Sequence, residues 1–121
     1  MARLLVVDDE QDVRDLIVKR LRADGHDVIS AEHGAAALAA VARHGMPEAA
    51  ILDVDLPGMD GIELLRRLRR HRADLPAMFL TVLWDGEVAV RARATGALYV
   101  RKPFTAEDLR AGLEQAMRGA G

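Results

Sequence analysis

The sequence predicts an α/β fold: a (βα)5 doubly wound sandwich around a five-stranded parallel sheet, with residues 1–121 forming one domain. Three observations predict it. Short apolar runs and helical spacings alternate five times along the chain. The apolar runs are continuous rather than alternating, as in strands buried on both faces. The connections are short, with no long linker, repeat or low-complexity segment. Strands that alternate with helices form a parallel sheet covered on both faces and joined by right-handed crossovers.

Each element has its own signal. LLVV (4–7) is the first strand. Val13, Leu16, Ile17 and Leu21 follow at helical spacing, and that helix ends near Gly25. DVIS (27–30) is the second strand, and the Ala-rich GAAALAAVARHG (34–45), closed by Gly45, is the second helix. EAAILD (48–53) is the third strand. Asp60 caps a helix with Glu63 three residues on and Leu64, Leu65 and Leu68 turned inward. AMFLT (77–81) is the fourth strand, followed by a helix from Asp85 to Thr95 that Gly96 stops. ALYV (97–100) is the fifth strand. Thr105 with Asp108 reads as a capping box for a last helix carrying Leu109, Leu113 and Met117, and MRGAG frays at its end.

Composition bounds the function. A chain of 121 residues, half of them hydrophobic, suits one compact core. Aromatics are 3%, so that core is aliphatic. A net charge of −2 argues against bulk nucleic-acid or membrane binding. Without cysteine there is no disulfide, thiolate metal site or cysteine nucleophile. The opening MARLLVVDDE stops at acids too soon for a signal peptide, and no run approaches membrane-spanning length. A cytoplasmic protein is expected.

In open α/β sheets ligands bind beyond the carboxyl ends of the strands. Asp8, Asp9 and Glu10 follow the first strand, Asp53 and Asp55 the third, Thr81 ends the fourth, and Lys102 and Pro103 follow the fifth. Carboxylates gathered at one rim repel unless they bind protons or a cation. An all-oxygen donor set selects a hard cation, and a small rim site suits Mg²⁺. A cation and an ammonium together make a place for a phosphoryl group, with a carboxylate beside them as acceptor.

The sequence resembles the receiver domain of two-component response regulators, chemotaxis-regulator-like, over essentially its whole length. The matching motifs are VVDDE (6–10), ILDVDLPGMDG (51–61), Thr81 closing FLT, and KPF (102–104). The resemblance implies a flavodoxin-like sheet of order 2-1-3-4-5. It implies that Asp53 is the phosphoacceptor of a bacterial phosphorelay switch, with Mg²⁺ (or Mn²⁺) held by Asp8, Asp9, Asp53 and the backbone carbonyl of Asp55. Thr81 and Lys102 would bind the phosphoryl group, and Thr81 with Tyr99 would form a switch altering the surface of the fourth helix, fifth strand and fifth helix. Pro57, Gly61 and Pro103, the last after a cis bond, would be structural. The implied donor is a histidine kinase or histidine phosphotransfer protein. A homodimer through that same surface is implied too, with Arg91, Arg93, Arg101, Glu107, Asp108 and Arg110 available for cross-pairs. No catalytic turnover is expected beyond slow self-dephosphorylation.

Other readings stand beside these. Asp8 and Asp9 also suit helix caps, and Tyr99 also suits a strand residue covering the sheet. Trp84 reads as a cap on the fourth helix. In RRLRRHR (66–72) the leucine takes the inner face and the arginines a solvated one. The four histidines have no ligand spacing. Three features depart from the family: Val82 stands where a small residue is usual, Leu83 and Asp55 flank the path of the hydrolytic water, and GALYVRKPF is one residue short before Tyr99. A phosphate-independent interaction module remains open, as does a haloacid-dehalogenase-type phosphatase using Asp53 and Asp55. Acids where G-x-G-x-x-G would stand set a dinucleotide site aside.

Overall fold

The computed structural model describes residues 2–82 and 86–119. Its elements run β1 (Arg3–Val7), α1 (Gln11–Ala23), β2 (Asp27–Ala31), α2 (Gly34–His44), β3 (Ala49–Asp53), α3 (Gly61–Leu68), β4 (Ala77–Thr81), α4 (Gly86–Ala94), β5 (Leu98–Arg101) and α5 (Ala106–Gly119). The strands form one parallel sheet in the order β2-β1-β3-β4-β5. Leu83, Trp84 and Asp85, and with them the readings of a hydrolysis-flanking residue, a helix cap and a helix start, lie outside the described residues, as does the end of MRGAG.

Alternate residues of each strand serve opposite layers, because successive side chains point to opposite faces. Leu4, Val6, Ile51, Met78 and Leu80 pack with Ile17 and Leu21 of α1 and Leu109 and Leu113 of α5. Leu5, Val7, Leu52 and Phe79 pack on the other face with Ala37 and Val41 of α2, Ile62, Leu64, Leu65 and Leu68 of α3, and Ala92 of α4. The register sets Val7 beside Leu52, Asp53 beside Leu80 and Thr81 beside Arg101. Strand ends β1, β3, β4 and β5 therefore line one rim.

Two caps are those read from the sequence, and a third, His33, is not. Asp60 accepts from Glu63 N at 2.8 Å and starts α3. Thr105 and Asp108 exchange two reciprocal 3.0 Å bonds. His33 caps α2 through Nδ1, 3.1 Å from Ala36 N.

Five readings need correction. Leu16 is 47% exposed, and Val18 is buried in its place beside Ile17 and Leu21. One residue's 100° rotation carries Leu16 past the sheet-facing stripe to a groove shared with Phe104 and Leu109. β3 and β5 each begin one residue later than read, at Ala49 and Leu98. α4 ends at Ala94, one residue short of Thr95, because Gly96 at φ +73° turns the chain. The arginines after α3 are not all solvated. Arg69 is half-buried and donates to the Leu75 carbonyl, while Arg72 reaches Asp74 and the Pro47 carbonyl.

Candidate functional site

The rim chemistry is built on three buried polar residues, Asp8, Asp53 and Thr81. Each stands at or just past the carboxyl end of a strand, where the ladder ends and side chains turn into the loop space. Asp8 Oδ1 accepts from Glu10 N at 2.9 Å, folding the chain back after β1. Arg14 of α1 donates to the Asp8 carbonyl at 2.8 Å, fixing that turn from below. Asp53 Oδ1 accepts from Asp55 N at 3.1 Å. The remaining oxygens of both acids face Lys102.

Lys102 bridges them. Its Nζ lies 3.0 Å from Asp8 Oδ2, 3.1 Å from Asp53 Oδ2 and 3.8 Å from Glu10 Oε1. Its side chain is 11% exposed, and its backbone N donates to the Thr81 carbonyl at 2.8 Å. The Lys102–Pro103 peptide is cis. Burial works against the ammonium, but bonds to Asp8 and Asp53 outweigh it and hold the Lys102 pKa above its ordinary value. Burial pushes Asp53 up to about 6, although Lys102 and the Asp55 N–H pull it down. The nearby Asp8 charge adds to the rise.

A cavity of about 380 Å³ opens at these groups, lined by Asp9, Glu10, Asp53, Val54, Asp55, Asp60, Thr81, Val82, Val88 and Lys102. Carboxylate oxygens of Asp8, Asp9 and Glu10 lie within 4.8 Å of one another, a donor set suited to a hard cation. Asp53 stands outside that trio and is joined to it through Lys102. Val82 is 63% exposed at the mouth.

The structure thus brings together Asp8, Asp9, Asp53, Thr81 and Lys102. Asp55 lies at the same cavity with an exposed side chain, and its N–H bonds Asp53. Tyr99 lies away from the cavity lining. It is 44% exposed on β5, in register with Phe79, despite the shortened approach. Arg69 ties that short α4–β5 turn by donating to the Thr95 carbonyl. Gly61 is required by contact: a Cβ there would stand 2.1 Å from the Asp53 carbonyl oxygen. Pro57 sits exposed in the turn before it.

Sequence reasoning missed two features. Lys102 pairs with Asp8 as closely as with Asp53. Asp60 does more than cap α3: its Oδ2 pairs with Arg91 Nη1 of α4 at 3.0 Å. Burial pushes Asp60 up, but the Glu63 N–H and Arg91 bring it below its ordinary value. Glu10, read from VVDDE as one of the rim acids, does join the site. Nothing local pointed from Asp60 to Arg91, 31 positions away.

A parallel sheet of this order, with a rim of acids and one buried lysine, defines a flavodoxin-like signalling domain. The chain belongs to the response regulator receiver domain family, whose family model matches residues 4–114. It is 38% identical over 117 residues to the response regulator MprA of Mycobacterium sp. (strain KMS), covering 96% of this chain and 50% of that protein. It is 35% identical over 121 residues to the phosphate regulon transcriptional regulatory protein PhoB of Pseudomonas aeruginosa, covering 98% and 52%. The chain spans about half the length of these curated relatives. Among solved structures, chemotaxis protein CheY4 of Vibrio cholerae superposes with a TM-score of 0.88 at 30% identity, covering 96% of this chain and 98% of that one. The receiver domain of NtrX from Brucella abortus gives 0.85 at 36% identity, covering 95% and 98%. Receiver domains are phosphorylation switches of two-component signalling rather than classical enzymes. Among the described residues no helix is long and apolar enough to cross a membrane.

Proposed function

We propose that residues 1–121 are a single receiver domain in which Asp53 accepts a phosphoryl group from a histidine kinase or a histidine phosphotransfer protein. The observation that carries this is the Lys102 ammonium seated between Asp8 and Asp53, at 3.0 and 3.1 Å, on the floor of an open cavity. That arrangement leaves one Asp53 oxygen toward the Asp55 N–H and the other paired to the group that will meet the incoming charge.

The transfer balances simply. An Asp53 carboxylate oxygen forms a bond to phosphorus as the phosphorus–nitrogen bond of the donor phosphohistidine breaks. The imidazole leaves with the electron pair and takes a proton from solvent. Lys102 neutralises charge on the transferring oxygens, and Thr81 contacts the phosphoryl group on arrival. Asp8, Asp9 and Asp53, with the Asp55 carbonyl, would hold Mg²⁺, for which Mn²⁺ can substitute. The donor set fits, since all candidate ligands are oxygens and several acids share one cavity. When bound, the ion supplies electrostatic stabilisation of the phosphoryl oxygens.

The product adds charge beside Thr81 and biases the α4–β5–α5 surface, with Tyr99 as a reporter on its exposed face. A homodimer through that surface would draw on Arg93, Arg101 and Glu107, because Arg91 and Arg110 are engaged by Asp60 and Asp24. Slow hydrolysis resets the domain, in the cytoplasm. The phosphatase reading has less behind it: the Asp55 side chain is exposed, and the bond Asp55 makes to Asp53 is through its N–H.

The test is intact-mass measurement after treatment with a small phosphodonor and Mg²⁺. The wild type should gain one phosphoryl group, and the gain should vanish with a chelator. No gain in the wild type would overturn the proposal.

A further inference from the structure

We propose that a two-ended strap between α3 and α4 carries the phosphorylation state of Asp53 to α4, by a route separate from Thr81 and Tyr99. It rests on the reading of Asp53 as phosphoacceptor and names how that site reaches one helix.

The fastenings are the two caps of α3. Asp60, the N-cap, divides its carboxylate: Oδ1 accepts from Glu63 N at 2.8 Å, and Oδ2 pairs with Arg91 Nη1 of α4 at 3.0 Å. Arg69, the C-cap, donates through Nη1 to the Thr95 carbonyl just past α4. Its Nε and Nη2 hold the Leu75 carbonyl at 3.1 and 2.9 Å. Both caps of α3 are therefore tied to the C-terminal part of α4, Asp60 to Arg91 in its last turn and Arg69 to Thr95 just past it.

Among the described residues, α4 buries little apolar side chain. Its buried residues are Ala89 and Ala92, whereas α3 buries Ile62, Leu64, Leu65 and Leu68. Two methyl groups give far less apolar area than four large aliphatic side chains. Polar ties thus supply much of the anchoring of α4.

The start of α3 is in turn pressed against the phosphoacceptor strand. Gly61 N donates to the Val54 carbonyl at 3.0 Å, and a Cβ on Gly61 would stand 2.1 Å from the Asp53 carbonyl oxygen. Asp60 also lines the cavity that holds Asp53. A phosphoryl group on Asp53 brings added negative charge and acceptor oxygens into that shared space. It repels the Asp60 carboxylate and competes for Arg91. The Asp60–Arg91 fastening loosens while Arg69 keeps the Thr95 end, so α4 pivots about its C-terminal end. A tie stronger in one state shifts the equilibrium by the difference, and the coupling is reciprocal.

Amide hydrogen exchange of α4 and affinity for beryllium fluoride with Mg²⁺, a phosphoryl mimic, test this in wild type, Arg91→Gln and Arg69→Gln. Without phosphate, Arg91→Gln should raise exchange across α4 about fivefold or more, and Arg69→Gln should do so at residues 95–97. Phosphorylation should raise α4 exchange in the wild type and add little in Arg91→Gln. Beryllium fluoride should bind Arg91→Gln more tightly by about the same factor. Wild-type α4 exchange in untreated Arg91→Gln, with normal phosphorylation, overturns the strap alone. An unchanged mimic affinity overturns the coupling. A wild type that accepts neither phosphoryl group nor mimic overturns the reading of Asp53 and the coupling with it, while the untreated comparison still decides the strap.

Discussion

Lys102 Nζ lies 3.1 Å from Asp53 Oδ2 while also holding Asp8 Oδ2 at 3.0 Å, so one ammonium serves two buried carboxylates from different strands. Removing it leaves both acids desolvated and facing each other. Breaking a buried pair from one side costs about 3–5 kcal/mol. Lys102→Ala should therefore lower the urea midpoint of the metal-free protein markedly at neutral pH. Saturating Mg²⁺ should restore part of the loss, since a cation replaces the missing charge. Unchanged stability in Lys102→Ala would show that the bridge is not formed in solution.

Asp53 has an ordinary pKa of 3.8, raised in the folded protein to about 6. Below 3.8 both folded and unfolded chains carry the proton and the group has no effect. Between the two values the folded state binds more protons, so its stability falls as pH rises, and above about 6 the cost is constant. Burial sets the rise, the Lys102 ammonium and the Asp55 N–H oppose it, and the Asp8 charge adds to it. Asp53→Asn should be more stable than wild type at neutral pH without metal, by about 1–3 kcal/mol, with the gap closing toward about pH 4. Parallel denaturation curves across this range check it, and a gap that widens on acidification contradicts it.

Mg²⁺ binding should compete with that same proton. At a Mg²⁺ concentration about ten times its dissociation constant, the wild type should gain about 1.4 kcal/mol of stability. Affinity should weaken as pH falls below about 6. Asp9→Asn should lose most of the effect while keeping the fold, because Asp9 is exposed. Thermal melts with and without Mg²⁺ measure all three.

Gly61→Ala places a methyl 2.1 Å from the Asp53 carbonyl oxygen, and the opposing group is backbone, which has no rotamer to yield. Overpacking of this kind costs roughly 1–3 kcal/mol or more. The variant should be destabilised, and its phosphorylation should slow because the end of β3 must shift. A variant as stable and as fast as wild type would show slack between β3 and α3.

The fold was largely legible because each strand of the sheet reads as a continuous apolar run with polar punctuation. Phe79 and Leu80, or Ile51 and Leu52, need no context to be read as buried. Leu16 was misread because periodicity names a stripe, and only the docking of α1 decides its edge. The site's strand-end acids and Lys102 were legible because the chemistry requires them at one rim. The double duty of Lys102 was not, since it depends on Asp8 turning inward after β1. Asp60 with Arg91 and Arg69 with Thr95 were illegible for a like reason: their partners meet through tertiary packing, with no local spacing between them.

Of the two acids in ILDVDLPG, Asp53 is buried against Lys102 and Asp55 contributes its N–H. The most direct measurement is peptide-level mass spectrometry of protein treated with a small phosphodonor and Mg²⁺, in wild type, Asp53→Asn and Asp55→Asn. The phosphoryl group should appear on the peptide containing residue 53 in wild type and Asp55→Asn, and nowhere in Asp53→Asn. A phosphoryl group retained in Asp53→Asn, or lost in Asp55→Asn alone, would contradict the account.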